Sequence, residues 1–98
     1  MLSGKQRRHL RSLAHSLKPL VQLGKDGIDD GVIAAIDQAL LDHELIKVRV
    51  GENADLDRHT AADSIAAQTH SEVAQVLGKI VLLYRAHPKK PEIVLPRR

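Results

Sequence analysis

The stretch Leu20-Val21-Gln22-Leu23-Gly24-Lys25-Asp26-Gly27-Ile28-Asp29-Asp30-Gly31-Val32-Ile33 decides how this chain folds. Its first four residues form a short apolar run that stops at a glycine, which reads as a strand. Behind the capping candidates Asp29 and Asp30, the residues Val32, Ile33, Ile36, Ala39 and Leu40 recur at helical spacing. Between strand and helix sits Gly24-Lys25-Asp26-Gly27. Two glycines in a four-residue turn permit positive φ and let the main chain approach a phosphodiester, while the following helix N-terminus offers N–H groups to a phosphate. Lys25 adds a mobile cation, and Asp26, Asp29 and Asp30 cap the helix and narrow where an anion can sit. A Gly-x-x-Gly turn alone is a common connector; its place between a strand and a helix gives it weight.

Working outward, a helix is expected from about Ser3, its N-cap, to Leu17, with Leu10, Leu13, Ala14 and Leu17 on one stripe and Pro19 as the stop. Arg7, Arg8 and Arg11 recur at helical spacing and make a basic ridge beside that stripe. Downstream, Leu45 to Val50 alternates: Ile46, Val48 and Val50 point one way, Lys47 and Arg49 the other, a half-buried strand with a basic outer face. From about Asp57 to Thr69, Ala61, Ala62, Ile65 and Ala66 predict a third helix lying close on a sheet. Val73 to Leu77 and Ile80 to Arg85 read as strands joined by a tight hairpin at Gly78 and Lys79, or as one bulged strand. The expected fold is α/β (α+β): a compact α-β-α-β-α-β-β domain with three helices and a four-stranded mixed sheet. Residues 86–98, with Pro88, Pro91 and Pro96, form an extended basic tail, and Ile93 to Leu95 can pack on the body.

A length of 98 residues suits one domain, and 43% hydrophobic with 28% charged residues is the composition of a chain that folds without a partner. The absence of cysteine excludes disulfides and thiolate chemistry and suits a reducing cytoplasm. Apolar runs are too short for a membrane span, and the first residues are basic and amphipathic rather than an apolar signal core, so the expectation is a soluble, unprocessed, cytoplasmic protein. The net charge of +3 conceals a segregation. Residues 1–25 carry six bases and no acid, residues 26–78 three bases against eleven acids, and residues 79–98 six bases against Glu92. Basic ends around an acidic middle make a dipolar molecule whose basic side attracts polyanions if the fold joins the ends.

Catalysis finds little support. The six histidines, His9, His15, His43, His59, His70 and His87, lack paired metal-site spacing, so no metal and no cofactor is expected. Asp37, Asp42 and Glu44 accompany no nucleophile motif and read as solvated helix-end carboxylates; a small ribonuclease is thereby disfavoured. Tyr84 is the only aromatic residue and reads as a half-buried strand residue. Recognition by stacked bases needs several aromatic faces, so backbone contact and shape are expected to dominate. A GXXG loop clamping backbone nucleotides is the mark of KH-type RNA modules. The rival reading is a protein-interaction module whose acidic middle docks a basic ribosomal protein.

A resemblance covers nearly the whole chain. It runs through Leu2-Ser3-Gly4-Lys5-Gln6-Arg7-Arg8, Leu10-Arg11, Ala14-His15, Leu17-Lys18-Pro19, Gly24-Lys25-Asp26-Gly27-Ile28, Ile36-Asp37-Gln38-Ala39-Leu40, Asp42-His43-Glu44-Leu45-Ile46-Lys47-Val48, Gln75-Val76-Leu77-Gly78-Lys79, Leu83-Tyr84-Arg85 and Leu95-Pro96-Arg97. In these blocks the chain resembles the YhbY-like RNA-binding proteins, stand-alone CRM (chloroplast RNA splicing and ribosome maturation) domains. The resemblance implies a fold related to the C-terminal domain of translation initiation factor three, with RNA facing the loop and a basic helix. It also implies association with ribosomal RNA in large-subunit precursors and a role in ribosome assembly; plant relatives embed such domains in intron-splicing factors. The RNA-contacting positions implied are Gly24, Lys25, Gly27, the first-helix bases Lys5, Arg7, Arg8 and Arg11, and Lys47, Arg49, Lys79 and Arg85; Asp26 and Lys18 are expected to join them. The chain itself is expected to be a monomer with no membrane or small-molecule ligand. Two departures stand out: Thr69-His70-Ser71 lacks the glycine often found in that turn, and Glu52 to Asp57 is more acidic than the family pattern.

Overall fold

The computed structural model describes residues 1–52 and 57–98; of the acidic run just named, residues 53–56 lie outside the described part. Seven elements follow in the expected order: α1 (Gly4–Ala14), β1 (Pro19–Leu23), α2 (Asp30–His43), β2 (Leu45–Val50), α3 (Arg58–Thr69), β3 (Glu72–Leu77) and β4 (Ile80–Tyr84). The helix starts are set by side chains that accept otherwise orphaned N–H groups. Ser3 and Gln6 form a reciprocal capping box on α1, with bonds of 3.0 and 3.1 Å. Asp29 Oδ1 takes the Val32 N–H at 2.8 Å, and Asp57 takes those of His59 and Thr60. α1 ends three residues before Leu17, because a turn closed by the Leu17 N–H on the Ala14 carbonyl (3.0 Å) swings Leu17 onto the body.

The sheet has the order β1-β2-β4-β3, with β1 and β2 parallel and the other pairs antiparallel. The crossover through α2 makes β1 and β2 parallel, and the tight turn at Gly78-Lys79 makes β3 and β4 a hairpin. Of the two readings of this segment the hairpin holds and the single bulged strand does not; the irregularity between Val73 and Gln75 lies inside β3.

Both faces of the sheet are packed. On one, α2 and α3 supply Ile36, Leu40, Ala61, Ala62 and Ile65 against Leu23, Ile46, Val48, Val81 and Leu83. On the other, α1 alone lays Leu10 and Ala14 over Leu45, Leu82 and Tyr84, with Ile93 and Leu95 of the tail at its flank. Leu10 is fully buried, so Leu10→Ala costs about 2–5 kcal/mol and loosens α1.

Strand register arranges the α1 side in three rows: Glu72–Tyr84–Leu45, Gln75–Leu82–Lys47 and Leu77–Ile80–Arg49–Gln22. α1 covers the first and part of the second and leaves the third open, where Leu77, Arg49 and Gln22 are exposed. The basic outer face expected of β2 is thus corrected. Leu45 shares that face and is buried, and Lys47 is half-buried with Nζ donating to the Leu17 carbonyl at 3.0 Å, which leaves Arg49 as its exposed cation. Tyr84, expected to be half-buried, is 7% exposed, because α1 and the tail close over it.

Two of the acids read as solvated have structural work. Glu44 is buried, and its carboxylate accepts N–H bonds from His87, Glu92 and Ile93 at 2.7, 2.8 and 2.9 Å, which fastens the tail. Asp37 pairs with Arg85 Nη1 at 2.7 Å. Among the described residues, no helix is long and apolar enough to cross a membrane, and no cluster of three metal-ligating side chains forms.

Candidate nucleic-acid interface

β1 and β2 finish at the same end of the sheet, and the β3–β4 hairpin turns there too. The turn Gly24–Gly27 closes by a bond from the Gly27 N–H to the Gly24 carbonyl, 3.0 Å, and Gly27 takes φ 67°, which a side chain would resist. Lys25 and Asp26 are exposed at its tip. The next strand end holds it in place: the Gly51 N–H donates to the Leu23 carbonyl at 2.9 Å, and a Cβ at Gly51 would stand 2.5 Å from that oxygen. The Val50 N–H reaches the Lys79 carbonyl at 2.7 Å, and Arg58 Nη1 the Gly78 carbonyl at 2.9 Å. Loop, strand end and hairpin are therefore one tied unit. Sequence reasoning missed Gly51 and Arg58; the signal at Gly51 was a glycine directly after an alternating strand.

At the start of α2, Asp29 occupies the Val32 N–H and brings its own negative charge, which narrows where an anion can sit. Beside it, Gly24 permits close approach, since an added Cβ would meet nothing within 4 Å, and Lys25 supplies an exposed ammonium.

The other predicted residues divide. Arg49 ends the open row next to Gln22 of β1, and Lys79 sits at the hairpin. Arg11 and His15 of α1 face that row across a cleft floored by Leu77 and Ile80. Arg7, one turn before Arg11, continues the same flank, with Arg8 and Lys5 exposed farther round the helix. Lys18 lies elsewhere, beside Leu13, Leu20 and His43 at the opposite end of β1. Arg85 is committed: Nη1 also donates to the Thr69 carbonyl at 2.7 Å, and Nη2 to the Asp37 carbonyl at 3.0 Å, so it ties α2 to the end of α3 rather than facing solvent.

This combination of an exposed GXXG turn and a basic first helix can be compared with known proteins. The model of the CRS1/YhbY (CRM) domain family matches residues 2–85. The chain belongs to that family. This CRM domain is 41% identical over 96 residues to the Probable RNA-binding protein YqeI of Bacillus subtilis, an alignment covering 98% of this chain and 100% of the relative. It is 43% identical over 100 residues to a protein of Haemophilus influenzae named RNA-binding protein, covering 99% and 97%. Among solved structures, the CRM domain superposes on the solution structure of SAV1595 from Staphylococcus aureus, a hypothetical protein titled for RNA binding, with a TM-score of 0.82 at 45% identity over 98% of this chain and 100% of the other. The relatives are named for RNA binding and not for catalysis.

Proposed function

We propose that this CRM domain binds structured RNA, holding its backbone between the Gly24–Gly27 turn, Lys25, Arg49, Lys79 and the Arg7–Arg11 flank of α1. The observation that carries the reading is the gathering of the turn, the open row with Arg49 and the hairpin with Lys79 at one end of the sheet. The names of the relatives support the same ligand. The finer reading is a monomer acting in the cytoplasm on ribosomal RNA of large-subunit precursors; the family resemblance implies the ribosomal RNA, and the lack of cysteine suits the cytoplasm.

Gly24→Asp is the sharpest test, because the added side chain enters open space and should leave the fold intact while placing a carboxylate where phosphate approaches. Affinity for large-subunit RNA fragments should fall, and Lys25→Ala with Lys79→Ala should lower the slope of log affinity against log salt by roughly one per lost phosphate contact. The control is Lys89→Ala with Lys90→Ala, an equal loss of charge near Glu44 at the other end of the sheet, which should change binding much less. Equal effects from both pairs, or none from Gly24→Asp, would reject the loop-centred reading. Association with large-subunit precursors that survives RNase and high salt would instead indicate a protein partner.

A further inference from the structure

Beyond Arg11, which the phosphate grip already uses, the cleft beside α1 holds chemistry of another kind. Since α1 covers only part of the sheet, Leu77 is 67% exposed and Ile80 half-buried, so the cleft has an aliphatic floor open to water. Arg11 and His15 form one wall, Lys47 the rear, and the Gln75 amide stands beside Leu77; among the described residues no acidic side chain lines the space of about 360 Å³. Cations around an apolar floor, with one neutral group able both to donate and to accept, suit a flat ligand with an apolar face, a polar edge and an attached anion. A nucleotide is such a ligand. The open row also runs without interruption from this floor through Arg49 to the strand that leads into the Gly24–Gly27 turn.

We infer that the cleft takes one unpaired nucleotide of the bound RNA, its base lying on Leu77 and Ile80, its edge read by Gln75, and its phosphate directed to Arg11 and Arg49. This rests on the RNA-binding reading above and narrows it to RNA helices that carry a bulged or looped-out nucleotide. A continuous A-form duplex keeps its bases stacked and cannot deliver one to the floor, whereas a bulge presents a base already unstacked. The only aromatic side chain, Tyr84, is buried beneath α1, so the base is held by aliphatic contact and the amide rather than by a stacking ring.

Two RNA hairpins that differ by a single bulged nucleotide test the inference by titration against the intact protein. The wild type should bind the bulged hairpin roughly tenfold more tightly, equivalent to about 1.4 kcal/mol. Leu77→Ser combined with Gln75→Ala should erase that preference while leaving the affinity for the fully paired hairpin and its salt slope unchanged. Gln75→Glu alone, which adds a negative charge to the cleft, should reduce binding of the bulged hairpin selectively. Wild-type protein that binds both hairpins equally, or cleft variants that keep the preference, overturn the cleft assignment and leave the loop reading standing. Binding to neither hairpin overturns both.

Discussion

Glu44 and His70 are the non-glycine residues with positive φ among the described residues, at 64° and 55°. His70 caps α3 in the left-handed region, in the turn where the sequence lacks a glycine. Relief of roughly 1–2 kcal/mol of backbone strain outweighs the added chain entropy of glycine, so His70→Gly should raise Tm by a few degrees in calorimetry. Glu44 accepts its strain in exchange for the tail. Burial pushes its carboxyl pKa up, but the N–H groups of His87, Ile93 and Glu92, with His87 also close by as a charge partner, outweigh burial and hold it below the ordinary 4.5. A depressed folded pKa contributes stability above 4.5 that is lost as pH falls through the folded value. The Ile93 amide should therefore lose its protection from hydrogen exchange on acidification below that range. Glu44→Gln should cost about 1–3 kcal/mol and remove this acid step. The sequence could not disclose that role: a glutamate at a helix end looks solvated, and its donors lie 43, 48 and 49 positions away. Arg85 was equally opaque, since its partner Asp37 is 48 residues distant.

Local pattern proved a good guide to elements and a poor one to what covers them. β2 spans the predicted Leu45–Val50 because Lys47 and Arg49 mark the alternation, and Asp29 and Asp57 announced two helix starts. The end of α1 was less legible, because Pro19 limits a helix without fixing where it stops. The second packed face was hidden: Leu45 and Tyr84 are apolar on a side whose other β2 members are basic, and only the path of α1 shows why. Gly51 is the element-scale test. The methyl of Gly51→Ala would meet the Leu23 carbonyl at 2.5 Å, so β1 must shift against β2 at a cost of about 1–3 kcal/mol. That variant should show a lowered denaturant midpoint, with amide chemical-shift changes centred on Leu23 to Gly27.

Across the whole molecule, the segregated charge of the sequence is only partly reproduced in space. Arg11 and Lys79 stand toward the loop end, but the start of α1 and the tail turn away: His87 and Glu92 are fixed to Glu44 at the opposite end of β2, the Leu2 N–H donates to Glu72 in that same end row at 3.0 Å, and Pro96 accepts from Gln6 at 3.0 Å. Formal charge by segment therefore overstates the basic surface available at the GXXG end, which is why position matters more than net charge in the binding tests. The strand order has a further consequence, in time rather than in space. β3 and β4 meet across a two-residue turn, whereas β2 finds β4 only after α3 and β3 have been threaded between them. Short loops close at small entropic cost, so the hairpin should organise first and β2 zip onto it afterwards, with the β1 edge completing the sheet. Gly78→Val, which forces a branched residue to φ 58°, should then slow refolding in stopped-flow mixing. Gly51→Ala, acting on the late strand, should chiefly hasten unfolding.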